Sequence, residues 1–211
     1  MKRVLMVGML GVLPLGLMAC SASSGAPNGG RPPLPTGAEV RFPAAPGNAY
    51  LNLLTDAGES VYQISVPSGS TSAEVDPAKW AGATTEAKAQ PVASLLPAGV
   101  TGTPTISTPT AKVLLLHWLM WQDKNTNGTR EAGEDLAVLS HDRVAYASAA
   151  VTVDFTTATP DMHQTWTLSS GWSRAEHFVF LPENQTTYQR TLSSSTLNRT
   201  TLHLPTPETS Q

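Results

Sequence analysis

The chain runs to 211 residues, with 13 Lys and Arg against 16 Asp and Glu. That length admits one domain, or one and a small second. The basic residues are scattered singly, which excludes the basic stripe that electrostatic capture of nucleic acid requires. The only cysteine, Cys20, excludes an intrachain disulfide.

At the N-terminus, Lys2 and Arg3 precede an apolar stretch, Val4 to Leu17, interrupted by Gly8, Gly11, Pro14 and Gly16. This is the plan of an export signal. The alternative, a transmembrane helix, needs ~20 apolar residues, and Val4 to Ala19 is shorter, with Pro14 disturbing any helix it enters. Leu17-Met18-Ala19-Cys20 resembles the lipobox of bacterial lipoproteins. The resemblance implies cleavage before Cys20, a diacylglycerol on its thiol and an acyl chain such as palmitate on its amine. Three chains, at ~0.8 kcal/mol per buried methylene, would hold the protein on a membrane. Ser21 after the cysteine resembles the outer-membrane sorting pattern of Gram-negative lipoproteins. The expected location is therefore the cell envelope, facing an extracytoplasmic space. Loss of Lys2 and Arg3 with the leader would leave 11 basic against 16 acidic residues, a balance of −5.

Residues 1–19 are thus expected to be a signal peptide and 20–37 a lipidated cysteine followed by a tether. The tether, SASSGAPNGGRPPLPTG, is too rich in Ser, Gly and Pro to build a core. Residues 38–205 form the expected domain and 206–211 a frayed tail. LLTDAGESVYQISVP, through Asp56, Gly58, Tyr62 and Pro67, resembles the strand-turn-strand of carboxypeptidase-regulatory or transthyretin-like β-sandwiches, which implies fold but no active site. Within it, Tyr62, Ile64 and Val66 alternate with Gln63 and Ser65, so one face of a strand meets a core. The Pro/Thr/Gly stretch 97–110 reads as a long surface loop or a divide between subdomains. Lys112 to Gln122, KVLLLHWLMWQ, is apolar on both faces if extended, as a central strand is, while Leu114, Leu115, Trp118 and Trp121 also fall at helical spacing. The neighbouring patterns favour the strand; a three-turn helix is the alternative.

Further on, Val151, Val153 and Phe155 alternate with Thr152 and Asp154. HQTWTLSS and AEHFVFLP flank Gly171, suggesting a hairpin. TYQRTL and TTLHLP supply expected edge strands. Short Thr/Val/aromatic runs punctuated by Gly and Pro predict a mainly β fold, an antiparallel β-sandwich of immunoglobulin-like or transthyretin-like type.

The most distinctive chemistry follows the apolar run. DKNTNGTREAGE, 123–134, places Asp123, Asn125, Asn127, Gly128, Thr129, Glu131 and Glu134 at positions 1, 3, 5, 6, 7, 9 and 12 of the twelve-residue calcium template. Ca²⁺ takes six to eight hard oxygens, so alternate carboxylates and amides can wrap it while the residues between them face water. Gly128 permits the reversal, Thr129 would offer its backbone carbonyl, and Glu134 would close the cage bidentately. The motif resembles EF-hand and dockerin loops, and more closely those of bacterial surface β-domains such as the B repeats of staphylococcal adhesins. It departs from the EF-hand at Arg130, where an apolar residue is usual, and no second copy occurs. The competing reading is an acidic Asn-Gly turn. The expected role of calcium is structural, with Asp135 supporting the cage from outside.

No catalytic residue is expected. Ser140-His141-Asp142 has triad letters, but side chains of sequence neighbours on a strand diverge. His163 and His177 could meet across the Gly171 hairpin, and Asp154, Asp161 and Glu176 could converge without leaving a motif. Trp166 and Trp172, near the same turn, are candidate glycan-stacking residues, against the competing reading that they fill the core. The leading expectation is a lipid-anchored structural or binding module with a calcium-stabilised domain, whose partner would be an envelope protein or glycan. A glycan-binding module is the alternative, and an envelope hydrolase the third reading.

Overall fold

The computed structural model describes residues 33–205. Cys20, the leader, most of the tether and the 206–211 tail lie outside the described residues. The fold is mainly β, in two sheets that pack as a sandwich. The smaller sheet has three strands: β1 (Ala38–Arg41) lies between β13 (Arg199–Thr201) and β4 (Ser72–Val75).

The larger sheet is built on β7 (Lys112–Gln122), which settles the helix-or-strand ambiguity in favour of the strand. On one flank of β7 lie β2 (Ala49–Thr55), beyond it β3 (Ser60–Val66), and the two-residue β5 (Gln90–Pro91). On the other flank the order runs β8 (Arg143–Ala147), β11 (Gly171–Phe180), β12 (Tyr188–Ser195), β10 (Asp161–Leu168), β9 (Val151–Ala158) and β6 (Val100–Ile106). Among the described residues helix is confined to α1 (Ala83–Glu86) and two 3-10 turns, Pro77–Lys79 and Val92–Leu95. Among the described residues no helix is long and apolar enough to cross a membrane.

β7 is apolar on both faces because it separates two cores. Leu114, Leu116, Trp118 and Met120 face the small sheet and pack with Val40, Val75, Leu51, Leu53 and Trp80. Val113 and Leu115 face the other way, toward Ala145, Ala175, Leu192, Trp166, Phe155 and Val153, under a lid of Val92 and Leu95. Alternation along each strand divides its residues between the cores. Val144 joins the first core and Ala145 the second; Trp172 joins the first and Ala175 the second.

The periodic segments appear where expected. In β3, Tyr62, Ile64 and Val66 pack on the first core while Gln63 and Ser65 are exposed. In β9, Val151, Val153 and Phe155 are buried in the second.

Four expectations need correction. The Gly171 turn is not a hairpin: β10 and β11 are not neighbours, because β12 lies between them, parallel to β10 and antiparallel to β11. The two-residue link arches over the end of β12 and is stitched there, with Ser194 Oγ accepting from Ser169 N at 2.9 Å and bonding Ser173 Oγ at 2.9 Å. The segment expected as an edge strand, TYQRTL, is therefore interior. Residues 97–110 are not loop throughout, since 100–106 form β6 at the sheet edge. Its pairing slips between Thr101 and Thr105, around Gly102 (φ +71°) and Pro104, an irregularity that removes the need for a proline N–H. Finally, the sandwich is not purely antiparallel, since β1–β13 and β10–β12 run parallel.

Candidate functional site

The loop predicted to hold calcium leaves the end of β7, and its two ends are tied together. Gln122 N donates to Glu134 O at 2.9 Å, Leu136 N to Met120 O at 2.9 Å, and Asp123 N to Asn48 O at 3.0 Å. Beneath it, Trp121 is fully buried, stacks on Tyr50 with ring centroids 4.6 Å apart, and donates its indole N–H to Asn52 at 3.2 Å. A rigid strand end with an aromatic strut therefore fixes where the loop begins and ends.

Inside this neck the predicted residues form one connected network. Asp123 accepts from Asn127 N (3.1 Å) through Oδ1 and from Gly128 N (2.8 Å) through Oδ2. Asn125 Oδ1 accepts from Asn127 N at 3.1 Å, and Asn127 Oδ1 from Thr129 N at 2.8 Å. The amides of Asn125 and Asn127 both donate to Glu131, at 3.1 and 2.8 Å. Glu134 reaches back across the loop and accepts from Lys124 N (3.0 Å) and Glu131 N (2.9 Å). Thr126 (φ 60°) and Gly128 (φ +73°) turn the chain through the left-handed region, which is cheap only for glycine. Asp135 does not support the cage; both its oxygens are taken by Arg130, at 2.6 Å each.

The charge balance of this network is unusual. Asp123 and Glu134 are 4% and 5% exposed. Neither they nor Glu131 has a cationic side-chain partner among the described residues, because Arg130 is held by Asp135 and the Lys124 ammonium by the Gly133 carbonyl. Backbone N–H groups offset part of the loss of water around these carboxylates, but they bring no countercharge. Among the described residues no three His, Cys, Asp or Glu side chains group as a metal centre by themselves. The template does not require that grouping, since two of its side-chain ligands are asparagines and a third donor is a backbone carbonyl. The donor set is all oxygen, which suits a hard cation and not zinc.

The other candidates do not assemble. Trp166 and Trp172 are each 5% exposed, which leaves little ring face for a sugar; Trp172 gives its indole N–H to Glu86. Ser140 Oγ accepts from Asp142 N, and Asp142 Oδ1 accepts from His177 N, so the Ser-His-Asp run braces a turn. His163 and His177 do not meet. His163 bonds Gln189 at 2.8 Å and Asp154 at 2.9 Å, and these, Gln189 first, hold its pKa above the usual histidine value. Asp154, Asp161 and Glu176 are taken up separately, by His163, Thr187 and Arg174.

Sequence reasoning missed a second polar cluster. Asp56 Oδ1 lies 3.8 Å from His117 Nδ1. Its carboxyl is held below the usual range by that contact first and by Arg143 as well, against a burial effect of opposite sign. The rings of His141 and His177 stand 5.2 Å apart. Burial, then Arg190, His141 and Arg143, push His177 down to about 4. Burial and Arg143 likewise lower Arg190. These residues come from the β2–β3 turn, β7, the approach to β8, β11 and β12, so no local spacing announces them. Compared with protein-family models, curated proteins and solved structures, the chain matches none, and its function must be read from these two sites.

Proposed function

We propose that this protein is a lipid-anchored module of the cell envelope whose β-domain is stabilised by one calcium ion and serves a structural or binding role. The observation that carries the reading is the pair of buried carboxylates, Asp123 and Glu134, joined with Asn125, Asn127, Thr129 and Glu131 in one network without a cationic side chain. A divalent ion supplies the missing countercharge and ties the loop to β7. The membrane attachment rests on the lipobox sequence alone.

Two measurements test it. Terbium(III) stands in for calcium and is sensitised by a nearby indole, and Trp121 lies two residues before Asp123. Excitation of tryptophan is expected to give terbium emission that calcium quenches by displacement; a wild-type protein giving no such emission would refute the metal site. Cys20→Ala is expected to release the protein from membranes, and undiminished membrane retention would refute the anchor. The loop's distance in sequence from Cys20 makes the two results independent.

A further inference from the structure

The face of the large sheet that carries the second core changes character along its length. Pairing registers align His177 of β11 with Leu192 of β12, Leu192 with Trp166 of β10, and Trp166 with Val153 of β9. One row to one side Arg143 pairs with Ala175, and one row to the other side Arg190 lies beside Gln164. Residues directly opposite in neighbouring strands share a face. The side that is apolar through Val153, Leu192 and Ala175 therefore ends in guanidinium and imidazole groups.

Those groups border a cleft of about 160 Å³ lined by Asp56, His141, Arg143, Trp166 and Arg190, with Leu115 and Leu192 as apolar wall. It adjoins a wider groove of about 340 Å³, to which Asp56, His141 and Arg143 also belong. Arg190 gives Nη1 to Gln164 Oε1 at a long 3.3 Å, so its guanidinium is only partly engaged. Arg143 is only loosely engaged, its Nη1 lying 3.3–3.4 Å from the carbonyls of Ser140, His141 and Asp142. Two guanidinium groups thus face one carboxylate, Asp56, and the burial of Arg190 beside Arg143 opposes its charge. Asp142 does not supply the balance, being held by His177 N and lying 4.0 Å from Arg174.

We propose that this cleft binds a small monocarboxylate, its oxygens accepting from the guanidinium groups of Arg190 and Arg143 and its short apolar stem lying against Leu115 and Leu192. The net excess of one positive charge matches a monoanion. Asp56 on the same wall repels a dianion such as phosphate and accepts instead from a hydroxyl or ammonium group beside the carboxylate. Paired guanidinium groups are a donor set suited to planar oxyanions. The site goes beyond the calcium reading and shares no residue with the loop, so either can fail while the other stands.

The test is titration of the calcium-loaded full chain with acetate, propionate, glycine and inorganic phosphate, following the indole N–H resonance of Trp166. The carboxylates are expected to move that resonance saturably, glycine at least as tightly as acetate. Arg190→Gln should weaken binding about tenfold or more, the loss expected when one charge-assisted partner is removed. Arg143→Gln removes the second guanidinium and decides the matter if Arg190→Gln does not fold; its affinity, read from the same Trp166 resonance, should also fall about tenfold. No saturable shift at concentrations that fill a millimolar site, tighter binding of phosphate than of carboxylate, or unchanged affinity in Arg143→Gln would each overturn the assignment.

Discussion

The loop at 123–134 and the cleft around Arg190 handle buried charge in opposite ways. In the loop every donor and acceptor of note is engaged, the residues are contiguous, and the imbalance is negative. In the cleft two guanidinium groups are only partly engaged, the residues come from segments between Asp56 and Leu192, and the imbalance is positive. Both touch β7, one at its end and one through Leu115. The difference teaches that a local hydrogen-bond network can be preorganised by its own chain segment, whereas a cleft assembled from distant strands is held open by the fold. The loop should therefore strengthen the fold, and the cleft should weaken it in return for binding.

Four substitutions break or sharpen that contrast. The largest effect is expected from Trp121→Ala, which removes the strut beneath the loop; truncating a fully buried tryptophan costs about 3–5 kcal/mol, readable by denaturant unfolding. Asp123→Ala follows, leaving Asn127 N and Gly128 N without their acceptor, at about 2–4 kcal/mol, and it should also abolish the response to calcium. Arg190→Met should behave otherwise. Replacing a half-buried cation repelled by Arg143 loses only the long bond to Gln164 and is expected to leave stability within about 1 kcal/mol of wild type, while carboxylate binding weakens about tenfold or more. A loss as large as that of Asp123→Ala would erase the distinction between the two regions.

The smallest effect concerns pH. The folded chain resists protonating His177 until about 4, whereas an unfolded histidine takes up its proton near 6.5. Between those values the unfolded state binds more protons, so His177 makes stability fall as pH drops through that window and adds nothing above it. His177→Gln should flatten the melting temperature across this range and leave it unchanged at pH 8. His163, whose pKa is raised by Gln189 and Asp154, acts with the opposite sign: its contribution is present below 6.5 and is lost as pH rises through its folded value.

How much of this could be read beforehand follows from the range of the interactions. β3 and β9 were legible because each carries its own two-residue alternation, whereas the apolar run of β7 fits a buried strand and a helix alike, and only the patterns of its neighbours favoured the strand. The loop itself stood out because twelve consecutive residues carry its oxygen donors. The insertion of β12 between β10 and β11 was not, because Ser169-Ser170-Gly171 is a turn signal whether or not a third strand lies inside the turn. β6 was hidden by Pro104 and Gly102, which mark a loop in most sequences and here mark an irregular edge. The cleft left no trace, since Asp56, Arg143 and Arg190 each look like solitary surface charges until β2, β8 and β12 join one sheet.

The central claim, that the buried carboxylates of the loop need a divalent ion, is tested most directly by thermal unfolding of the Cys20→Ala full chain in calcium and in chelator, beside the same chain with Glu134→Gln. For a site of extracellular strength, calcium at ten to a hundred times the dissociation constant stabilises by about 1.4–2.7 kcal/mol. In a domain of this size the parent midpoint should then rise by about 3–10 °C. Glu134→Gln should show little or none of that rise. Midpoints that coincide in calcium and chelator, or a Glu134→Gln chain that responds as fully as its parent, would contradict the account.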